Sequence, residues 1–402
     1  MEVDVKSIND LCKIIDCEHK TAPYVDASPF LVVRTSNVRN GRISFKDIKY
    51  TTEAGYHEWT QRAVPESGDI LFTREAPAGE SCLVPKELKL CMGQRMVLIR
   101  PQKNKVDSHY LSLYLATDKC KFDIHRLTIG TTVSRINIAD IKKINVAYPS
   151  LPEQKKIAKI LSTWDKAIET VEQLIENSKL QKKALMQIVF CSKKRSQNGW
   201  KNIRLGELTS IFDGTHSTPK YVEKGVPFYS VEHVTSDNFE STKYISQEVF
   251  EKENKRVKLE TGDILMTRIG DIGTVKYLDW EVNASFYVSL ALIKANDNYS
   301  SQFLSYYIQS DDFQRELWKR TIHVAFPKKI NLGEIGNCEV SMPDIDEQER
   351  IVELLSVADQ TISHLESKLA ILKQEKKALM QQLLTGKRRV VVHEPVVEAE
   401  SA

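Results

Sequence analysis

Four basic or amide side chains that could read the edges of nucleic-acid bases lie close together early in the chain. Arg34, Asn37, Arg39 and Arg42 follow the apolar run 31–33 within nine residues. Arginine pairs bidentately with guanine, and asparagine with adenine, in the major groove of DNA. The matching segment of the second half contributes Ser230, Glu232 and His233. A polar loop at the end of a strand is the alternative interpretation of each of these residues.

A duplicated turn supplies a second set of candidates. It covers residues 16–24 in the first half and 213–221 in the second, and each copy holds a histidine, hydroxyl groups and a tyrosine. Hydroxyl side chains suit contacts with phosphate that position a protein on DNA. The residues predicted to bind DNA here are Thr21, Tyr24, Thr215, His216, Thr218 and Tyr221. The alternative is that the histidine only closes the turn.

A third set of candidates precedes a repeated Ile-Asn pair and is rich in basic residues, which favour binding to phosphates. Its members are Thr131, Thr132, Arg135, His323, Lys328 and Lys329. A solvated basic face is the alternative. Arg74 and Arg268, which end two copies of Gly-Asp-Ile-Leu-x-Thr-Arg, complete the candidates. Because they are identical in both halves, contact with the DNA backbone or a structural pairing is favoured over base reading.

Catalytic signatures are absent from the sequence. It contains no Walker A loop, no Gly-x-Gly-x-x-Gly, no His-Glu-x-x-His and no Asn-Pro-Pro-Tyr type motif. The nine histidines do not cluster, and the seven cysteines form no Cys-x-x-Cys pair. A metal site or a disulfide framework is therefore not expected. We predict that the chain is not an enzyme and holds no cofactor.

The candidate residues are distributed by an internal repeat. A shift of 194 residues aligns block 68–74 with 262–268 and block 182–187 with 376–381. Near the duplicated turn the shift becomes 197 residues. A period of this length indicates a duplicated two-part unit and excludes a solenoid of short repeats.

The second part of each unit predicts a long helix. Residues 153–190 and 344–385 contain neither glycine nor proline, and their apolar residues recur at heptad spacing. The predicted seam positions are Ile157, Trp164, Val171, Leu185, Ile351, Leu365, Leu372 and Leu379, with a companion row that includes Ile160, Leu174, Ile188, Leu355 and Ile362. We expect the two helices to pair as a coiled coil. Packing of each helix only on its own globular domain is the alternative.

The first part of each unit mixes short β-like runs with one helix-like stretch, Ser108–Thr117 and Ser301–Gln309. The expected fold class is α+β, with two mixed α/β domains related by the repeat and joined by two long helices. The predicted boundaries are 1–150 and 202–343 for the globular domains, 151–191 and 344–386 for the helical regions, 192–201 for an exposed linker and 387–402 for a disordered tail.

Length and charge restrict the environment and the partner. No apolar run reaches the length needed to cross a bilayer, and the first twenty residues show no signal peptide, so a cytoplasmic protein without a membrane partner is expected. The net charge of +3 neither requires nor excludes a polyanion. Two domains separated by a helical spacer suit a ligand with two separated sites, and double-stranded DNA is the commonest such ligand.

The ordered, duplicated motifs resemble those of the specificity (S) subunit of type I restriction–modification systems. The resemblance covers essentially the whole chain. It is carried by Pro-x-x-x-Glu-Gln at 149–154 and 343–348, by Lys-Lys-Ala-Leu-Met-Gln at 182–187 and 376–381, by the two Gly-Asp-Ile-Leu blocks and by the Gly-Thr-His-Ser-Thr-Pro-x-Tyr turn at 214–221. Residues 16–19 lack the Gly-Thr of the second copy, so the DNA role of that turn transfers less directly to the first half.

This resemblance implies that each globular domain is a target recognition domain that reads one half of a bipartite DNA site. It also implies that the helices form an antiparallel coiled coil and bind two copies of a methyltransferase (M) subunit. The M subunit would hold S-adenosylmethionine and methylate adenine, while a restriction (R) subunit would translocate and cut DNA. The alternatives are a specificity subunit of a methyltransferase-only or other defence complex, a coiled-coil scaffold that binds only proteins, and a hydrolase with an unrecognised site, which is disfavoured.

Overall fold

The structure is a computed structural model that describes residues 3–130, 134–191 and 199–392. The chain divides into two compact units. Unit 1 comprises Met1–Glu172 and Ser367–Ala402, and unit 2 comprises Gln173–Glu366. Both units mix helices with strands, which confirms the predicted α+β class.

The strands of unit 1 are β1 (Val5–Ser7), β2 (Cys12–Asp16), β3 (Tyr24–Val25), β4 (Phe30–Val33), β5 (Val38–Arg39), β6 (Arg42–Ile43), β7 (Lys49–Thr51), β8 (Ile70–Thr73), β9 (Ser81–Leu83), β10 (Lys89–Met92), β11 (Met96–Pro101) and β12 (Asn145–Ala147). They form two four-stranded sheets, with strand orders β2-β11-β8-β9 and β10-β4-β7-β3, and the pairs β1-β12 and β5-β6. The helices of unit 1 are α1 (Ile8–Leu11), a 3-10 turn (Thr35–Asn37), α2 (Glu53–Trp59), α3 (Ser108–Leu115), α4 (Asp118–Arg126), α5 (Ile138–Ile141) and the start of α6 (Leu151–Val189).

The strands of unit 2 are β13 (Lys201–Arg204), β14 (Ile211–Asp213), β15 (Tyr221–Val222), β16 (Val226–Tyr229), β17 (Lys243–Ile245), β18 (Ile264–Ile269), β19 (Asp271–Tyr277), β20 (Ser285–Phe286), β21 (Leu290–Ile293) and β22 (Glu339–Met342). They repeat the topology of unit 1, with sheet orders β14-β21-β18-β19 and β15-β17-β16-β20 and the pair β13-β22. The helices of unit 2 are α7 (Leu205–Leu208), α8 (Val231–Ser236), α9 (Gln247–Asn254), α10 (Ser301–Ile308), α11 (Asp311–Arg320), α12 (Leu332–Gly336) and the start of α13 (Ile345–Leu383).

The Gly-Asp-Ile-Leu blocks form the central strands β8 and β18. Their apolar residues run without alternation because each strand is covered on both faces. In unit 1, Ile70 and Phe72 enter one core cluster and Leu71 enters another. The preceding aspartate is also buried, and Asp69 accepts hydrogen bonds from Arg100 at 2.7–3.2 Å. The repeated motif is therefore the centre of each domain's core.

The Pro-x-x-x-Glu-Gln motif fastens the start of each long helix to its domain. In α6 the Gln154 amide donates to the Pro149 carbonyl at 2.9 Å and accepts from the Asp107 backbone N–H at 2.9 Å, just before α3. In α13, Gln348 makes the equivalent pair of bonds with the Pro343 carbonyl and the Ser300 N–H, both at 2.9 Å. Both glutamines are buried, so the motif has a structural role.

Within each unit the two long helices run antiparallel. In unit 1, Asp165 pairs with Lys376 at 2.6 Å, and in unit 2, Lys182 pairs with Asp359 at 2.5 Å. Residue numbers rise along α6 as they fall along α13, as a second unit 2 pair, Lys179–Glu366, also shows. The internal repeat relates the Asp165–Lys376 pair of unit 1 to the Lys182–Asp359 pair of unit 2. Supercoiling of the helices stays a prediction.

The predicted seam faces inward, but its companion row in α6 is confirmed only at Ile160, which packs against the core of unit 1, and is wrong at Leu174 and Ile188. Ile157, Val171 and Ile351 are buried, and Trp164, Leu185, Leu365, Leu372 and Leu379 are half-buried. Leu174 and Ile188 are exposed, whereas Leu161, Ile168 and Ile175 are buried. A second heptad row can follow the first by three or four residues, and the sequence pattern of α6 does not distinguish these steps.

Two predicted boundaries also need correction. Residues 192–198 of the predicted linker lie outside the described residues, but Trp200 packs on Phe190 and Phe303, and Lys201 begins β13. Gly386 follows α13 with φ +73°, as the predicted helix end requires. Beyond it, Arg389 donates to the Glu153 carboxylate at 2.6 and 2.8 Å and lowers the pKa of Glu153. The predicted disorder of the tail, residues 387–402, is therefore wrong as far as Arg389, which is held by Glu153.

None of the described helices is both long enough and apolar enough to cross a membrane.

Candidate nucleic-acid interface

A buried aspartate–arginine pair holds the duplicated turn in unit 2. Asp213 ends β14, and its Oδ2 lies 3.3 Å from Arg268 Nη1 on β18 and 2.9 Å from His216 Nε2. Since an ionised carboxylate only accepts, His216 Nε2 donates and Nδ1 stays available for another partner. The aspartate and the arginine are buried, but the histidine side chain is 69% exposed. The pair fixes an outward-facing ring to the sheet.

The same arginine fixes the end of the third candidate segment. Arg268 Nε donates to the Ile330 carbonyl at 3.1 Å, and the Ile330 N–H donates to the Arg268 carbonyl at 3.0 Å. The Gly270 N–H also donates to the Lys328 carbonyl at 2.8 Å. Two segments predicted from separate parts of the sequence, 213–221 and 323–329, are therefore held by one side chain.

Unit 1 repeats this arrangement. Arg74 Nη1 lies 3.2 Å from Asp16 Oδ1, and His19 Nε2 lies 3.0 Å from Asp16 Oδ2. The Ile136 N–H donates to the Arg74 carbonyl at 3.0 Å. Arg135, one residue earlier, is exposed and lies 3.7 Å from Glu75. The predicted residues Thr131 and Thr132 lie outside the described residues.

These contacts correct the predicted role of Arg74 and Arg268. Each arginine side chain is only 10% exposed and donates to an aspartate and to a backbone carbonyl. Direct contact with DNA is excluded in this conformation, and the structural pairing considered as an alternative is what the structure shows. Both arginines position the candidate segments instead.

A second arginine, which is not among the candidates predicted from the sequence, supports each turn. Arg62 Nη1 donates to the Cys17 carbonyl at 3.0 Å, and Arg256 Nη1 donates to the Gly214 carbonyl at 3.3 Å. Arg256 also forms an ion pair with Asp213. The signal was present in the sequence, because these two arginines are separated by the 194-residue period.

The surroundings of Asp213 keep its carboxylate ionised. Burial acts to raise its pKa, but hydrogen bonds and charge from Arg256 and His216 outweigh that effect and lower the pKa below its ordinary value. The turn in unit 2 is thus held by one carboxylate that accepts from three side chains.

Most of the first candidate set serves the fold of unit 1. Asn37 is fully buried; its Oδ1 accepts from the Arg34 N–H and its Nδ2 donates to the Ser44 and Lys46 carbonyls at 3.1 Å. Arg34 Nη2 donates to the Asp47 carbonyl, and Arg39 Nη1 donates to the carbonyls of Thr35 and Val38. The exposed Arg42 lies 3.6 Å from Glu172 on α6. Base reading by Asn37 is wrong for this conformation, since its amide is enclosed and already bonded.

The matching candidates of unit 2 also include both a buried residue that serves the fold and an exposed residue. His233 is buried, and its Nδ1 accepts from the Ser230 N–H at 2.9 Å at the start of α8. The prediction that His233 contacts DNA is therefore wrong in this conformation. Glu232 stays exposed, 3.2 Å from the Ser230 hydroxyl.

The duplicated turn keeps several candidates at the surface. Thr21, Tyr24, Thr218 and Tyr221 are exposed, whereas Thr215 is buried. Lys243 Nζ lies 4.9 Å from the centre of the Tyr221 ring, so a cation and an aromatic face are presented together. A protruding histidine, hydroxyl groups and an aromatic–lysine pair make this turn suited to a phosphate backbone and its bases.

A family model for the type I restriction modification DNA specificity domain matches residues 1–178 and 197–374. The chain belongs to this family. Its two specificity domains coincide with the internal repeat, and the resemblance stated from the motifs is confirmed. DNA recognition as a specificity subunit of a type I restriction–modification system, the predicted function, is confirmed with it.

Named relatives agree with this family over most of their length. The type I restriction enzyme MjaVIII specificity subunit of Methanocaldococcus jannaschii is 28% identical over 414 residues, which cover 96% of this chain and 93% of that protein. The type I restriction enzyme EcoKI specificity subunit of Escherichia coli is 22% identical over 368 residues, covering 84% and 78%.

A solved structure shares the fold of these specificity domains. The crystal structure of the S subunit of a type I restriction-modification system from M. genitalium matches with a TM-score of 0.62 at 16% identity, over 96% of both chains. A chain from a structural study of assembly and conformational transition of the type I R-M system matches with a TM-score of 0.56 at 18% identity, over 96% and 98%.

Proposed function

We propose that the protein is a non-catalytic subunit that supplies DNA sequence specificity to a type I restriction–modification complex, each unit reading one half of a bipartite double-stranded site. The observation that carries this proposal is the duplication of one specificity domain in which the same Asp–Arg pair holds an exposed histidine. Recognition of two different half-sites requires two domains that share one backbone structure and expose different side chains. The turns meet this requirement, since the exposed Lys20 and Pro23 of one are replaced by the exposed Ser217 and Lys220 of the other.

The long helices are the proposed docking surface for two copies of an M subunit. Large apolar side chains stand exposed on helices whose inner rows are already packed. They are Leu174, Leu180, Ile188, Ile345, Leu354 and Val357 in unit 2 and Ile371 in unit 1. Exposed apolar residues of this size on a charged helix surface favour a protein partner.

The chemistry of the complex is assigned to its other subunits. S-adenosylmethionine would be bound by the M subunit, and R subunits would act on DNA through the assembled complex. The support is the lack of catalytic motifs in this sequence. Because its substrate is DNA, we place the complex in the cytoplasm.

Methylation-site mapping tests the proposal. Cells that express this chain with the M subunit encoded beside it should methylate adenines within one bipartite sequence, and cells that express M alone should not. Methylation without a sequence rule, or at a site unchanged by removal of this chain, would contradict the proposal. The same mapping applies whether or not a nuclease subunit is encoded nearby, so it separates specificity from restriction.

A further inference from the structure

The most exposed apolar side chains of the described residues lie in the segment 323–329 of unit 2, which we call the 323–329 loop. Phe326 and Val324 are fully solvent-exposed, at 104% and 98%. A phenylalanine ring in water forgoes the free energy of burial, about 2 kcal/mol, so full exposure of such a ring is unusual. The loop therefore presents its apolar tip to something outside the chain.

The base of the loop is rigidly held. The Ile322 N–H donates to the Lys329 carbonyl at 2.8 Å, and the Lys328 carbonyl accepts from Gly270. The His323 ring lies 4.0 Å from the Trp318 ring, centre to centre, and its Nε2 donates to the Trp318 carbonyl at 2.9 Å. Trp318 thus packs against His323 of the loop itself. The tip of the loop is therefore preorganised for binding.

The charged residues beside the tip indicate the class of partner that the 323–329 loop binds. Lys328 and Lys329 follow the tip directly and are exposed, and Lys328 Nζ lies 5.2 Å from the centre of the Trp318 ring. An apolar ring flanked by cations fits a polyanion with stacked apolar layers, which describes duplex DNA. Phenylalanine wedges that enter a base step, beside lysines on phosphates, are a general means of DNA binding.

The position of the loop in the fold agrees with this partner. Arg268 bonds to Ile330 at the end of the loop and to Asp213, which holds His216. The wedge and the exposed histidine of the specificity domain are thereby held by one buried side chain.

Resting on the proposed function, we propose that Phe326 is a DNA wedge. Its ring inserts at a base step in or beside the half-site read by unit 2, while Lys328 and Lys329 contact the adjoining phosphates. Sequence is then read partly through the ease with which that step unstacks.

The test uses the full chain assembled with its M subunit and a duplex carrying the methylation site mapped as above. We expect Phe326→Ala to weaken specific binding roughly 5- to 150-fold, the range for loss of one aromatic stack on a base. The slope of log affinity against log salt concentration should stay unchanged, because an apolar ring releases no counterions. Lys329→Ala should instead reduce that slope by about one.

Two controls make the result specific. Phe122 of unit 1 is also exposed, so Phe122→Ala removes a surface phenylalanine without touching the loop and should bind as the parent does. Phe326→Trp should retain most of the affinity. 2-Aminopurine is placed at successive positions of the half-site other than the methylated adenine, which the M subunit would unstack in both complexes. It should brighten at one step with the parent complex, and not with Phe326→Ala.

Each outcome of these experiments either supports or overturns the proposed wedge. Equal affinity and equal 2-aminopurine signals for Phe326→Ala and the parent would overturn the wedge and leave the proposed function standing. Loss of M-subunit association with unchanged DNA contact would also overturn it, and would make the loop a protein contact. Failure of the parent complex to prefer the mapped duplex would contradict the proposed function itself.

Discussion

At the scale of single residues, Asp213 holds the duplicated turn of unit 2 in place. Its buried carboxylate accepts from Arg268, Arg256 and His216. We expect Asp213→Asn to destabilise unit 2 by about 3 kcal/mol, because the amide leaves a buried guanidinium without its counter-ion. Denaturant unfolding combined with hydrogen exchange of β18 measures this loss locally. Asp16→Asn is the matched variant in unit 1, and its loss should be smaller because that carboxylate is 22% exposed.

The pH dependence of this effect has a defined sign. A carboxylate whose folded pKa is lowered contributes stability above its unfolded pKa, and loses it as the pH falls through the folded value. For Asp213, the difference in unfolding free energy between the parent and Asp213→Asn should be full near pH 6 and shrink below about pH 3.8. A difference that grows in acid would show that Asp213 does not carry the charge.

Residue types alone could not identify which candidates are available to DNA. Arg34, Asn37 and His233 have the chemistry to read bases, yet their partners are backbone groups three to thirteen residues away. Whether such a side chain turns outward or braces its own loop depends on the turn geometry, which is not visible in a residue list. The sequence places His216 in the turn, but the Asp213–Arg268 pair that holds it joins residues 55 apart.

At the scale of the elements, the polar pairs of the long helices make a testable contribution. Lys376 and Asp165 are 19% and 37% exposed. Lys376→Asp places two acids together and should cost about 1 to 2 kcal/mol, whereas adding Asp165→Lys should recover most of the loss. Thermal unfolding of both single variants and the double variant gives the coupling energy.

A more exposed pair in unit 1, Lys373–Glu172, supplies the control for that cycle. Its side chains are 52% and 38% exposed, so reversing Lys373 should cost less than reversing Lys376. Additive losses in the double variant of Lys376 and Asp165 would show that the two helices do not interact at this position.

The elements themselves were largely predictable. The long helices were expected from a lack of glycine and proline, and the structure starts and ends them within a few residues of the prediction. The repeat predicted that both domains share one topology, which the strand orders confirm. The companion row failed at Leu174, because periodicity fixes the spacing of a row but not which of two neighbouring rows the partner covers.

At the scale of the whole molecule, duplication predicts that specificity is modular. We expect replacement of residues 1–150 by the matching domain of another family member to change one half of the methylated site and leave the other half intact. The core of unit 1 includes Ile157 and Leu161 of α6 and Leu383 of α13, so the incoming domain must keep apolar partners for these residues. Methylation mapping of the chimera checks the result, and a change in both half-sites would contradict independent domains.

The helices should determine the distance between the half-sites. Each of α6 and α13 contributes residues to both units, and the antiparallel ion pairs place Glu172 of α6 near Lys373 of α13. Seven residues inserted into each helix near these positions add about 10.5 Å while preserving the heptad rows. Since DNA rises about 3.4 Å per base pair, the tolerated gap should widen by about three base pairs with both half-sites unchanged.

An insertion into α6 alone should be compared with the paired insertion into α6 and α13. Four residues after Ser178 of α6 add about 6 Å and one turn, and they displace Lys182 from Asp359 because α13 is not lengthened. We expect the four-residue variant to shift the gap by one or two base pairs at lower thermal stability, and the paired variant to shift it further without that loss. Methylation mapping gives the gap, and thermal unfolding gives the stability. If the paired variant stays folded, methylates DNA and keeps the original gap, the spacing is set by flexible recognition domains and not by the length of the helices.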